Sequence, residues 1–142
     1  MKTIDTTPLK RALDALKRSI AISIQYLRDE KASPDLKETL QAGVIQHFEF
    51  SYELSFKLLK RQLEHESSTP TLVDSFSFQE LIREGAEKSY IKDAKKWLEY
   101  RHQRNLTSHV YREDYAKSVY KSAIEFYDDG YDLLTKLQAR NK

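Results

Sequence analysis

The residues best suited to chemistry lie in one short run, Arg101-His102-Gln103-Arg104-Asn105-Leu106-Thr107-Ser108-His109-Val110-Tyr111. It concentrates two arginines, two histidines, an asparagine and a tyrosine, few of which serve a hydrophobic core. Arg104 can offer a planar fork of donors to a phosphate, Asn105 and Ser108 can hydrogen-bond, and a histidine such as His109 takes and gives a proton near neutral pH. Together they suit cleavage of an RNA phosphodiester. A base removes the 2′-hydroxyl proton, an acid protonates the leaving oxygen, and a cation stabilises the charged transition state without a metal. The simpler reading is that Arg101 and Arg104 are exposed charges favoured by the dipole at a helix C-terminus, with His109 as a cap.

Spacing restricts how this run can work. Asn105 and His109 are four apart and share a helical face, as do Arg104 and Ser108, but Arg104 and His109 diverge by ~140° on a straight helix. Either the helix ends or bends between them, or the cluster works in a cleft where two subunits meet.

Other candidates are weaker. Glu49 and Glu53 lie one helical turn apart and could hold a metal or act as a base toward a bound nucleotide. The alternative is a solvated strip in which Glu53 and Lys57 form an ordinary i,i+4 pair worth ~0.2–0.5 kcal/mol. His102 and His109 have no cysteine or carboxylate array beside them, so no zinc site is expected. Asp128, Asp129 and Asp132 flank Gly130, with neither a strand nor a second carboxylate pair to build a two-metal centre. A Gly-rich phosphate loop is absent as well, so the chain is not expected to transfer nucleotides itself, and no metal or cofactor is expected. Among the tyrosines, Tyr52, Tyr120 and Tyr127 fit buried stripes, whereas Tyr100, Tyr111 and Tyr115 gather around the run and could stack on a base.

The elements that must position these residues read as helices. Thr7-Pro8 is a helix entry, and Leu9, Leu13, Leu16, Ile20, Ile24 and Leu27 form one apolar stripe to about Arg28. After Lys31-Ala32-Ser33-Pro34, a capping box from Asp35 to Glu38 opens a long helix to about Glu66. Its circumference is unusually apolar: Leu40, Val44, Phe48, Tyr52, Phe56, Leu59 and Leu63 line one side, with Phe50, Leu54 and Leu58 roughly opposite. One neighbour cannot bury both, so this helix is central or is half covered by another subunit, and a dimer interface is the favoured expectation. Weak strand character follows in Thr71-Leu72-Val73. Ser77 to Glu80 caps a short helix, Asp93 opens a helix carrying Trp97, Arg101 and Arg104, and a last helix runs from about Asp114 through Leu137, weakened at Gly130. Gln138 to Lys142 are expected to fray. The lysine–arginine pairs at 10–11 and 17–18 read as a solvated face.

The composition agrees. With 142 residues the chain suits one domain, and only 3 Gly and 3 Pro leave little turn material for a sheet. The fold class expected is all-α: an antiparallel up-and-down bundle of four main helices plus a short extra one, over 1–142. A net charge of +2 excludes a strongly basic duplex-coating protein, and the absence of cysteine fits a reducing compartment. No run of ~18 apolar residues suggests a membrane span, so a cytoplasmic location is expected.

The run from Arg104 resembles the R-x4-H-x-Y motif of the HEPN superfamily, and Arg-Asn-Leu-Thr-Ser-His-x-Tyr is similar to the form in its nucleotidyltransferase substrate-binding subgroup. Phe48-Glu49-Phe50-Ser51-Tyr52-Glu53-Leu54-Ser55-Phe56-Lys57 resembles that subgroup's second-helix signature, and Trp97-Leu98-Glu99 its fourth helix. The resemblance implies a homodimer and a separately encoded minimal nucleotidyltransferase as partner. It further implies a metal-independent RNase of toxin–antitoxin type with Arg104 and His109 catalytic across the dimer, Asn105 as polar helper, and Tyr111 as acceptor of AMP from the partner. Glu49, Glu53, Arg101 and Ser108 are then candidates for contacts with RNA, nucleotide or partner. The alternative implied is a non-catalytic subunit that presents a substrate to the transferase.

Overall fold

A computed structural model describes residues 3–141, which form an antiparallel helical bundle with no strand among the described residues. Helix α1 (Thr7–Leu27) buries Leu9, Leu13 and Leu16 from the expected stripe. Helix α2 (Pro34–Glu66) is the central element and packs against every other helix of the bundle. Helices α3 (Pro70–Asp74), α4 (Phe78–Glu87) and α5 (Ala94–Asn105) follow, then a 3₁₀ turn over Leu106–His109 and the long α6 (Glu113–Arg140).

Several helix starts follow the sequence signals. The Ser77–Glu80 capping box forms with both hydrogen bonds at 3.2 Å, and Asp93 accepts from the Lys96 amide at 3.2 Å. Two starts differ. The α2 cap is Ser33, whose Oγ accepts from the Leu36 amide at 3.1 Å, because Pro34 has no N–H to lose at the first helical position. Asp35 therefore lies in the first turn and does not cap. At α1 the cap position is Thr6 without a side-chain bond, and Asp5 Oδ1 accepts from the Thr7 amide at 3.0 Å instead.

The expected strand at 71–73 is a short helix. Pro70 starts α3, and Val73 is buried against α2 where no neighbouring strand exists to pair with it. Nor is the end of the chain frayed through Asn141. Its amide Nδ2 donates to Gln62 Oε1 at 2.8 Å and to the Leu137 carbonyl at 2.7 Å, while its Oδ1 accepts from the Ile4 amide at 2.8 Å. Lys142 lies outside the described residues. Gly130 is a requirement of packing: a Cβ there would stand 3.0 Å from Leu13 Cδ2 and 3.0 Å from Phe126 Cε2, so glycine lets α6 approach α1.

The core is joined through aromatic rings from three helices. Phe126 of α6 meets Phe48 of α2 at 5.4 Å, Trp97 of α5 at 5.4 Å and Tyr100 of α5 at 5.1 Å, each close to edge-on. Such contacts favour opposed edge and face charge and add ~0.5–1.5 kcal/mol per pair beyond burial. They fix α5 against α2 and α6 just before the polar run begins. Tyr100, expected near the run as a stacking surface, is buried here with its hydroxyl on Asp129.

Tyr90 is also buried, and its hydroxyl donates to Glu66. Burial and that hydrogen bond push its pKa from 10.0 up to about 12. The neutral phenol is thus favoured in the folded state, so its stabilisation is full below pH 10.0 and is lost as pH rises through about 12. Denaturant midpoints measured across this window should fall with rising pH, and less steeply in Tyr90→Phe; an equal slope in the variant would remove Tyr90 as a contributor.

Candidate functional site

Helix α5 ends inside the polar run. The Leu106 amide takes up the carbonyls of the final turn, and the backbone tightens into the 3₁₀ turn that carries Thr107, Ser108 and His109. The helix therefore stops between Arg104 and His109, which is one of the two arrangements the spacing allowed. Leu106 packs against the core and anchors the turn.

Two carboxylates of α2 hold this corner. Arg104 donates from Nε to Glu53 Oε1 at 3.0 Å, and its Nη2 donates to the same oxygen. Both donors converge on one oxygen, so Nη1 keeps no protein partner among the described residues. The Glu53 hydrogen bond raises the Arg104 pKa further and keeps the guanidinium charged. One turn earlier on α2, Glu49 accepts from the Thr107 hydroxyl, which also lies 2.8 Å from the Arg104 carbonyl. Glu53 does not form the expected pair with Lys57, because Arg104 offers it a fork of donors.

Thr107 is the residue that sequence reasoning left without a role. Its signal was available in the spacing: Glu49 and Glu53 rise one turn along α2, while Arg104 and Thr107 are three apart along the facing segment.

The remaining candidates point outward. Asn105, Ser108 and His109 are exposed, and none makes a side-chain hydrogen bond among the described residues. Tyr111 is 80% exposed, its ring 6.0 Å from that of His109 and edge-on to it. Arg112 is held apart from this pair by Asp114 at 3.1 Å and by the Tyr115 ring at 4.2 Å. Arg101 lies over the Phe78 ring at 4.1 Å. The fold thus joins Arg104 to Glu53, Glu49 to Thr107 and His109 to Tyr111, but no hydrogen bond links Arg104 to His109. Tyr115 is half-buried under Arg112.

A helical bundle that presents an Arg-x4-His-x-Tyr run where α5 ends is a protein of the HEPN class. Residues 5–139 match the model of the family described as nucleotidyltransferase substrate binding protein like, and the chain belongs to that family. It is 39% identical over 107 residues to a probable ribonuclease, HepT, of Haemophilus influenzae, covering 75% of this chain and 73% of that protein. A solved Haemophilus influenzae structure, described as revealing the fold of a substrate-binding domain of a nucleotidyltransferase, superposes with a TM-score of 0.88 at 32% identity. That likeness covers 94% of this chain and 99% of the other. A solved Thermus thermophilus protein shares the fold at 22% identity, with a TM-score of 0.62 over 86% of this chain and 98% of its own.

The Arg104–Glu53 pair is partly open to solvent, with side-chain exposures of 34% and 43%. Screening limits such a pair to about 0–1 kcal/mol. Glu53→Gln should therefore lower the unfolding free energy by no more than about 1 kcal/mol in a denaturant titration. A loss several times larger would make the pair a structural bridge of the core.

Proposed function

We propose that this protein is an RNase of toxin–antitoxin type that works as a homodimer and is silenced by a separately encoded nucleotidyltransferase. The observation that carries this reading is the corner itself: a charged arginine with a free Nη1, an unpartnered exposed histidine, and an exposed tyrosine against that histidine. Arg104 binds the scissile phosphate and offsets the charge of the transition state. His109 moves the proton as the 2′-oxygen attacks phosphorus and the bond to the 5′-oxygen breaks, leaving a 2′,3′-cyclic phosphate and a 5′-hydroxyl. Asn105 is exposed beside Arg104 and serves as a polar helper. Ser108 lies within reach of the same RNA backbone.

The homodimer is supported by an uncovered seam on α2. Leu36, Leu40, Gly43, His47, Phe50 and Leu54 follow a 3.5-residue spacing, and each is exposed or only half-buried. Phe50 is 48% exposed, and a Cβ at Gly43 would meet nothing within 4 Å. A glycine costs a helix interior ~1 kcal/mol relative to alanine, and no contact within the chain calls for one here. A second copy crossing at Gly43 does. Glu53 borders this seam next to Phe50, so a partner seated on it brings a second Arg104–His109 corner toward the first, which compensates for the missing bond between Arg104 and His109 within one chain.

Silencing acts at Tyr111. Its phenol oxygen attacks the α-phosphorus of ATP held by the transferase, the bond to the β-phosphate breaks, pyrophosphate leaves, and the phenol proton passes to solvent or a base. The adduct places a phosphodiester charge beside His109 and blocks the approach of RNA. The family description and the solved relative described as a substrate-binding domain favour a second reading, a non-catalytic subunit that presents a substrate to the transferase.

Expression of the chain without a partner separates the two. Growth arrest with RNA cleavage, abolished by Arg104→Ala or His109→Ala, is the expected outcome; harmless expression with a stable transferase complex supports the presenting subunit. Intact mass after incubation with the transferase, Mg²⁺ and ATP should show added AMP in the wild type and none in Tyr111→Phe. In sedimentation, Gly43→Leu or Phe50→Asp should convert the dimer to monomer, and a persistent dimer in both would remove the α2 seam as the interface.

A further inference from the structure

A cleft of about 300 Å³ opens between α2 and α5, lined by Tyr52, Glu53, Phe56 and Lys57 from one and Arg101, Arg104 and Asn105 from the other. Its volume lies at the lower end of the ~300–1,000 Å³ typical of small-ligand sites. Three of these side chains are cationic. The one lining carboxylate, Glu53, is taken by Arg104, and neither Lys57 nor Arg101 makes an ion pair among the described residues.

The floor of the cleft holds an anomaly. Tyr52 is 3% exposed, and its hydroxyl is the one buried side-chain polar atom with no hydrogen-bond partner among the described residues. Its ring already packs with Phe48, Trp97 and Phe126, and a phenylalanine would fill the same space without leaving a polar group unpaired. The fold gives no reason for the hydroxyl. Burial raises its pKa, while the positive charges of Arg101 and Arg104 pull the other way, so both guanidiniums stand near it. Arg101 approaches the oxygen without completing a hydrogen bond of ordinary geometry. An aromatic wall lies alongside, where Arg101 covers Phe78 at 4.1 Å and Phe78 stacks on Phe56 at 5.0 Å and 22°.

We propose that this cleft binds one nucleotide unit, with its phosphate on Arg101 and Lys57, its base against Phe56, and its hydrogen-bonding edge on the Tyr52 hydroxyl. A phosphate draws Arg101 off the Phe78 ring, which uncovers the hydroxyl and gives it the partner it lacks. The choice of a nucleotide over a bare anion follows from the joint presence of cations, an aromatic wall and an unpaired hydroxyl. The inference deepens the RNase reading by giving the substrate a subsite next to Arg104. Because it concerns binding, it stands or falls separately from cleavage.

The test is calorimetric titration of the full chain carrying His109→Ala, which leaves RNA uncut, with AMP, adenosine, inorganic phosphate and a six-nucleotide single-stranded oligoadenylate. AMP should bind at least about tenfold more tightly than adenosine or phosphate alone, because only AMP engages both halves of the cleft. Adding Tyr52→Phe should weaken AMP about 3–10-fold, the loss of one hydrogen bond, while leaving the thermal midpoint equal or higher. Adding Arg101→Ala should weaken it further. Competition between the oligonucleotide and AMP, with the same Tyr52 dependence, identifies the unit as part of an RNA strand, and AMP binding alone identifies a free mononucleotide. Unchanged AMP affinity in Tyr52→Phe, or AMP no tighter than phosphate, overturns the proposal. Tyr52-dependent binding in a protein whose wild type cuts no RNA would keep the subsite and discard the RNase reading.

Discussion

The structure depends on the meeting of α2, α5 and α6 at Phe126. Helices pack in preferred orientations only when side chains interlock, and a ring of α6 with neighbours on both α2 and α5 fixes the mutual rotation of the three as well as their distance. Trp97 and Tyr100 stand two turns and one turn before Arg104 on α5, so the register set in the core passes directly to the polar run. A bundle joined by flexible aliphatic contacts alone would fill the same volume with less control over where α5 ends. Burial supplies most of the stability here, while ring geometry determines where the surface chemistry sits.

At the surface the governing constraint is the fate of the Arg104 charge. A guanidinium does not lose its proton, so it needs either solvent or an anion at all times. Glu53 fills that need while holding the fork near a fixed position, and its partial exposure keeps the pair weak enough to open. A fully buried pair would hold Arg104 more rigidly but would strand a carboxylate when it left. Glu49 and Thr107 perform the matching task for the backbone, tying the 3₁₀ turn to α2 by a hydrogen bond that does not involve the arginine.

Helix α2 therefore has three duties on one cylinder. One side carries Val44, Phe48, Leu59 and Leu63 into the core, the Glu49–Glu53 edge positions the motif, and the Leu36–Leu54 seam stays uncovered within the chain. Leu58, placed by spacing with Phe50 and Leu54, is buried, whereas Leu40, placed by spacing with the core stripe, is half-buried and lies on the seam.

The sequence by itself determined the class of fold, because three- and four-residue apolar spacing, few glycines and local caps such as Ser77 and Asp93 are short-range signals that need no tertiary partner. It also determined which residues stand in the polar run and the resemblance they carry. Only the tertiary structure decided that Thr71–Val73 is helical, since five residues without a strand neighbour take their conformation from the surface they pack against. It likewise decided that Tyr100 belongs to the core, that Gly130 serves a close approach, and that Glu53 chooses Arg104 over Lys57. Each of these depends on which groups from distant parts of the chain arrive side by side, and spacing along one helix holds no record of the neighbour across it.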